Sequence, residues 1–217
     1  LASSGSTAAL VIGIFGVMAI TSEYTTSAVQ SSLTVNPRRG MFYATKSVAT
    51  ALFALVAGIV GILLAAGVLW LFTRGHDITA LTSDQSRIIP VTLIGFPLTI
   101  VLVSLMAQGL GGMTRSTVGG VCALIVLFMV LSSVLSITSM AINQVEWLGT
   151  LSYLTPDTAM NHFLGAGIES SSQSTLAAAV KPNYWIPDWW QSGLILLAWA
   201  AAAWAGGLIV TKKADIK

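Results

Sequence analysis

Charge is what this chain most lacks. Only 8% of its 217 residues are Asp, Glu, Lys or Arg, where a soluble domain carries about 25%. With 55% hydrophobic residues and a mean hydropathy of +0.83, it cannot cover a globular surface with polar groups. Its solvent is therefore largely lipid. A net charge of +2 provides no basic face for nucleic acid. A single cysteine, Cys122, excludes an intrachain disulfide and a cysteine-cluster metal site, and its apolar surroundings read as packing. The two histidines, His76 and His162, have no ligand partner at i+3 or i+4 and read as solvated loop residues. The acidic residues stand singly, without the close pair that acid–base chemistry uses. No span holds an acidic residue or an arginine near its centre, the usual marker of a proton relay or a charge-coupled carrier.

What is present is a set of long apolar runs. A bilayer core about 30 Å thick takes roughly 20 helical residues to cross. Five segments qualify, at about 4–21, 48–72, 90–112, 118–139 and 192–210, and they predict an all-α membrane protein with one transmembrane domain over 1–217. Gly95 and Pro97 place a kink in the third span. The chain opens on Leu1 with no positive segment before its first apolar run, which makes a poor signal peptide and points to a first stretch upstream.

Orientation follows the lysines and arginines. Seven of the ten fall in the loop 22–47, the short loop 113–117 and the C-terminal tail, which share one side of a five-span chain. That side is expected to be cytoplasmic, with the C-terminus inside. The outer loop 140–191 contains "TPDTAMNHFLGAGI", in which Thr155 caps, Pro156 starts and Asp157 favours a helix dipole, so a short helix lying on the outer surface is expected. Trp147, Tyr153, Tyr184, Trp185, Trp189 and Trp190 flank it as an interfacial belt.

Two further features bear on function. "GMFYATKS", Gly40–Ser47, imitates a phosphate-binding loop, but Thr45 replaces the second glycine and the segment leads into a membrane helix, so the chain has no ATPase motif. Hydroxyls and an amide in the third and fourth spans (Thr99, Ser104, Gln108, Ser132, Ser133 and Ser136) either line a pathway or bond neighbouring helices. The glycines and alanines of the spans suit close helix packing.

The polar segment "TSEYTTSAVQSSLTVNPRRG" interrupts two lipid-soluble runs. Ser22 is placed to cap a weakly amphipathic helix with Glu23 in its first turn, and Pro37 stops it. Arg38 and Arg39 then fall at headgroup depth, and Lys46 opens the next span, where it can snorkel. A loop joining adjacent spans needs only a few residues, so the length suits docking on a cytoplasmic partner.

This block resembles the signature of bacterial ABC-2 type permeases, in which a Glu-Tyr pair ends a span and a Thr/Ser-rich helix, a Pro-Arg-Arg loop and a lysine follow. Glu23-Tyr24, Pro37-Arg38-Arg39 and Lys46 match in that order. "LSYLTPDTAMNHFLGAG" and "WAAAAWAGGLIVTKKADIK" are similar to the family's outer segment and C-terminal end, although Thr155 intervenes between Leu154 and Pro156. The resemblance implies six spans with both ends cytoplasmic, so a first helix is expected ahead of Leu1. It implies a multi-pass protein of the bacterial inner membrane, exporting a substrate through a pair of identical or related permeases. ATP-binding subunits carry the ATP and Mg; no cofactor is implied in this chain. The coupling contact to those subunits falls, by position, on Glu23, Tyr24, Thr25, Val29, Leu33, Pro37, Arg38 and Arg39. The alternative is a non-transporting membrane anchor or sensor that recruits a cytoplasmic partner through the 22–47 loop. A self-contained channel or carrier ranks third, for want of intramembrane charge.

Overall fold

The computed structural model describes residues 2–25, 39–74, 88–141, 146–166 and 185–213. Among them every regular element is helical, and five stretches are long and apolar enough to cross a membrane. The protein is an all-α, multi-pass membrane protein. The spanning helices are α1 (Ala2–Thr25), α2 (Arg39–Thr73), α3 (Ile88–Thr114), a fourth span of two helices, and α8 (Trp189–Lys213). The fourth span begins as α4 (Thr117–Ile125), widens into a π-helical turn at Val126–Val130 and continues as α5 (Leu131–Ala141). Two short helices, α6 (Glu146–Tyr153) and α7 (Pro156–Leu164), precede α8.

Lipid solubility explains why helices alone appear in the spans. An unpaired backbone amide in hydrocarbon costs several kcal/mol, and a helix satisfies its amides internally. Side-chain hydroxyls solve the same problem by bonding back to their own helix. Thr21 donates to the Val17 carbonyl at 2.9 Å, Thr99 to Phe96 at 2.8 Å, Ser104 to Val101 at 2.8 Å and Thr211 to Gly207 at 2.8 Å.

Helix α3 is the hub, packed against α1, α2, α4, α7 and α8. Small residues let the backbones approach. A Cβ on Gly16 would lie 2.5 Å from the Ser104 carbonyl, and one on Gly109 would collide with the Ala203 carbonyl. The core joins α1, α3, α4, α7 and α8 through Val17, Val103, Met106, Leu124, Met160, Leu164 and Leu196. Helix α2 is peripheral and turns Leu63, Leu64, Leu71 and Phe72 outward, as a lipid-facing helix does. Its 35 residues span about 52 Å at 1.5 Å per residue, well beyond the hydrocarbon core.

Several boundaries differ from those read from sequence. Helix α1 runs without a break through Ser22, Glu23, Tyr24 and Thr25, so Ser22 does not start a new helix there; none of those residues is a helix breaker. Helix α2 begins at Arg39, so Arg39 is the first residue of a helix rather than part of a loop, and Lys46 lies two turns into it. The segment joining α1 to α2 is thereby reduced to 26–38, which lies outside the described residues. Helix α3 continues through Pro97. Arg115 takes φ 51° between α3 and α4, and Ser116 caps α4 by accepting from the Gly119 amide at 3.4 Å.

The largest correction concerns α7. Thr155 is extended and Pro156 occupies the first turn, in line with the expected start, but the helix does not lie on a surface. Pro156, Ala159, Met160 and Leu164 are buried, and the Phe163 ring is wedged between two spans. A Cβ on Gly95 of α3 would lie 2.9 Å from that ring, and one on Gly193 of α8 would lie 3.0 Å from it. These glycines are remote in sequence from α7, so its own periodicity gave no sign of the slot that receives it.

Candidate functional site

The spans alternate in direction, which gives the bundle two distinct ends. At one, the end of α1, the start of α2, the α3–α4 turn and the end of α8 meet, with Lys46, Arg115, Lys212 and Lys213 all on that side. Both helices that flank the 26–38 segment are fastened there. Tyr43 of α2 is fully buried, with its ring against Gly112 of α3 and its hydroxyl against Gly207 of α8. That hydroxyl donates to the Trp204 carbonyl at 3.4 Å, while the Trp204 indole donates to Ser47 Oγ at 2.7 Å. Ser47 in turn donates to the Tyr43 carbonyl at 2.9 Å. On the other side, Thr117 of α4 donates to Thr21 Oγ1 of α1 at 2.8 Å. Glu23, Tyr24 and Thr25 form the last turn of α1, and Arg39 starts α2; Val29, Leu33, Pro37 and Arg38 lie outside the described residues. Lys46 is half-buried on α2, and its carbonyl accepts from Thr50 at 2.9 Å. Gly40–Ser47 is helical, so the phosphate-loop look-alike has no loop to offer.

The hydroxyls and amide proposed for a pathway separate into two groups. Thr99, Ser104 and Gln108 are buried at 1%, 0% and 0% exposure within the α3 packing, and the Gln108 amide has no hydrogen-bond partner. Ser132 is buried and donates to Thr155 Oγ1 at 3.1 Å, tying α5 to the α6–α7 turn. Ser133 and Ser136 are exposed, and the Ser136 carbonyl accepts from Ser139 at 2.9 Å.

At the opposite end, α7 and the turn before it are bonded to α1, α3 and α8. Thr92 donates to the Leu164 carbonyl at 3.2 Å, the Trp199 indole to the Leu154 carbonyl at 2.8 Å and the Asn161 amide to Ser6 Oγ at 3.1 Å. His162 Nδ1 lies 3.0 Å from Ser192 Oγ, and the Tyr153 ring meets the imidazole edge-on at 5.8 Å. His162 is therefore a packed residue of the bundle, contrary to its reading as a solvated loop histidine. Trp147, Trp185 and Trp190 are exposed around this end, Trp189 stacks on Phe163, and Tyr184 and His76 lie outside the described residues.

Beside α7 is a cleft of about 180 Å³. Ser6, Thr7 and Leu10 of α1 form one wall, Phe128 and Met129 of the π-turn together with Ser133 of α5 form the other, and Asp157 of α7 closes it. The π-turn shapes that second wall. Leu131 bonds back to the Val126 carbonyl, one residue further than an α-helix reaches, and π-turns of this kind recur at functional sites. Burial pushes the Asp157 carboxyl above its ordinary value, and hydrogen bonds from Ser6 and Asn161 oppose that shift. Asp157 Oδ1 is enclosed without a hydrogen-bond partner, and so is Oδ1 of Asn161, which does not line the cleft. Sequence reading assigned Asp157 only to the helix dipole. The polar pair Ser6-Thr7 in the first turn of an apolar span was the available signal, and it became informative only when α7 was seen to pack on it.

Compared with known protein families and with curated proteins, the chain matches none.

Proposed function

We propose that this chain is the membrane-spanning subunit of an ATP-driven exporter of the ABC-2 type, resident in a bacterial inner membrane with its C-terminus and the 26–38 segment in the cytoplasm. The observation that most supports this reading is the fastening of both helices that flank 26–38. Force applied to that segment reaches α1 and passes to α4 through Thr21–Thr117, and it reaches α2 and passes to α3 and α8 through Tyr43. Packed elements of this sort move as bodies rather than deform. Closure of ATP-binding subunits against 26–38 would then tilt α1 and α2 together with their partners. The lysines and arginines gathered at this end agree with a cytoplasmic location.

The interior of the bundle is filled by α3 packing, with Thr99, Ser104 and Gln108 enclosed in it. A transport route accordingly runs between two permease copies. Glu23, in the last turn of α1, acts at the hinge between span and coupling segment, and Arg38 and Arg39 anchor the start of α2 at headgroup depth. ATP and Mg reside on the partner subunits.

The reading is tested by coexpressing the chain with its ATP-binding subunit and replacing Glu23 with Gln, and Arg38 and Arg39 together with Gln. Membrane insertion and assembly should persist, while ATPase stimulation by the permease falls at least tenfold. Unchanged stimulation in both variants contradicts it and favours a membrane anchor or sensor.

A further inference from the structure

Helices α2 and α3 meet tightly at one level and part beyond it, towards the end of the bundle that holds α7. At the crossing, a Cβ on Gly58 would stand 2.8 Å from the Pro97 Cα, and one on Gly61 would stand 3.8 Å from the Phe96 ring. Further out, the two facing surfaces are uncovered. On α3, the residues one and two turns before Pro97 on its face are Leu93, Ile94 and Pro90; all are exposed, Ile94 by 71%. On α2, Leu69 continues the row of Gly58, Ile62 and Ala65 and is 59% exposed. A Cβ on Gly67 would meet nothing within 4 Å. Every residue from Ala66 to Phe72 is exposed, so α2 is uncovered there on the side towards α3 as well. The two helices thus enclose a wedge, closed at Gly58–Pro97 and open where α2 ends and α3 begins.

We propose that this wedge binds an anionic phospholipid, with one acyl chain between α2 and α3 and the phosphate on Arg74. Length points to a lipid of one leaflet. From Gly61 to Thr73 the helix rises about 18 Å, close to half the thickness of a hydrocarbon core, roughly 15 Å. A chain whose head lies beside Thr73 therefore ends near the crossing. The α2 wall is apolar along that whole length, with no charged residue from Gly61 to Phe72. The mouth carries the charge that a phosphate needs. Arg74 is the first charged residue after the apolar run, and its guanidinium lies 3.8 Å from the centroid of the Trp70 ring. Stacking occupies the guanidinium face and leaves the N–H donors at its edge, which match phosphate oxygens in pairs. Among the described residues no carboxylate pairs with it. That cation selects the class, because a zwitterionic head would bring its own positive charge beside Arg74. This binding does not rest on the exporter reading, since it needs neither ATP nor a partner subunit.

The test is photolabelling of the full chain in phosphatidylcholine nanodiscs by a trace of phosphatidylglycerol with a diazirine midway along one acyl chain. Adducts are expected to concentrate on the peptides 61–72 and 89–98. The same diazirine on phosphatidylcholine, at equal mole fraction, should label them at least fivefold less. Arg74→Gln should lower the phosphatidylglycerol adducts at least fivefold, and so should Ala65→Phe, which fills the wedge from α2. Arg74→Lys should keep more labelling than Arg74→Gln. Adducts spread evenly over the exposed faces of the spans, or unchanged in Arg74→Gln, overturn the proposal in favour of ordinary solvating lipid. Equal labelling by the two lipids overturns it in favour of an unselective head. Absence of adducts from both peptides overturns it as well, in favour of a protein segment such as a second copy of the chain in the wedge. Thermal unfolding verifies that each variant is folded, and the two substitutions, one at the mouth and one inside, keep the test decisive if either is not.

Discussion

The hydroxyl of Tyr43 lies against the α-carbon of Gly207, so close that a Cβ there would stand 2.5 Å from the oxygen. This contact fastens the start of α2 to the end of α8, on the side where the basic residues gather. Replacing Gly207 with Val forces Tyr43 or the α8 backbone to move. Overpacking of this sort costs about 1–3 kcal/mol. Gly67→Ala, where nothing lies within 4 Å of the new Cβ, should leave stability unchanged or raise it slightly. Unfolding midpoints of the two variants in one detergent provide the comparison. Equal midpoints would mean that the Tyr43 contact does not hold α2 in place.

Gln108 is enclosed in the α3 packing with neither amide atom bonded. An unsatisfied buried polar group costs about 1–3 kcal/mol, and an apolar group of similar shape avoids that cost. Gln108→Met should therefore raise the unfolding midpoint of the purified chain. A lowered midpoint would show that the amide finds a partner in the folded protein.

Asp157 makes stability depend on pH in a direction that follows from its burial. Its carboxyl binds a proton more tightly in the folded chain than in the unfolded one, whose ordinary value is near 3.8. Stability from this group is thus fully present below that value and is lost as pH rises through the folded one. Asp157→Asn carries no such titration. The variant should match the parent in acid and become the more stable of the two as pH rises above 3.8. Thermal midpoints taken across that range decide it; a constant difference, or one of opposite sign, counts against a desolvated carboxylate.

The five spans were legible in the sequence because a bilayer demands some 20 apolar residues in a row, and little else satisfies that demand. The start of α7 was legible too, from Thr155, Pro156 and Asp157. Its burial was not, because the slot for Phe163 is made by Gly95 and Gly193, which come together only in the fold. The π-turn at Val126–Val130 left no mark either: its residues include no glycine or proline, and nothing local distinguishes it from an α-helical run. Ser22 drew the first helix to a close too early, since a serine that suits a cap is equally at home in a helix whose later residues keep their bonds. Of the candidate site, the hydroxyls were visible as residue types, but whether each faced a helix, a cleft or lipid was decided by packing.

The central claim is that the segment between α1 and α2 grips an ATP-binding subunit. A photoreactive amino acid placed at residue 30, in the chain expressed at native level in its own membranes, tests this directly. The account expects one dominant cross-linked partner whose sequence contains a Walker A motif, with the cross-link lost when the probe is moved to Phe72 on the exposed opposite end of α2. Capture of a partner without a nucleotide-binding motif, or of none, would contradict it.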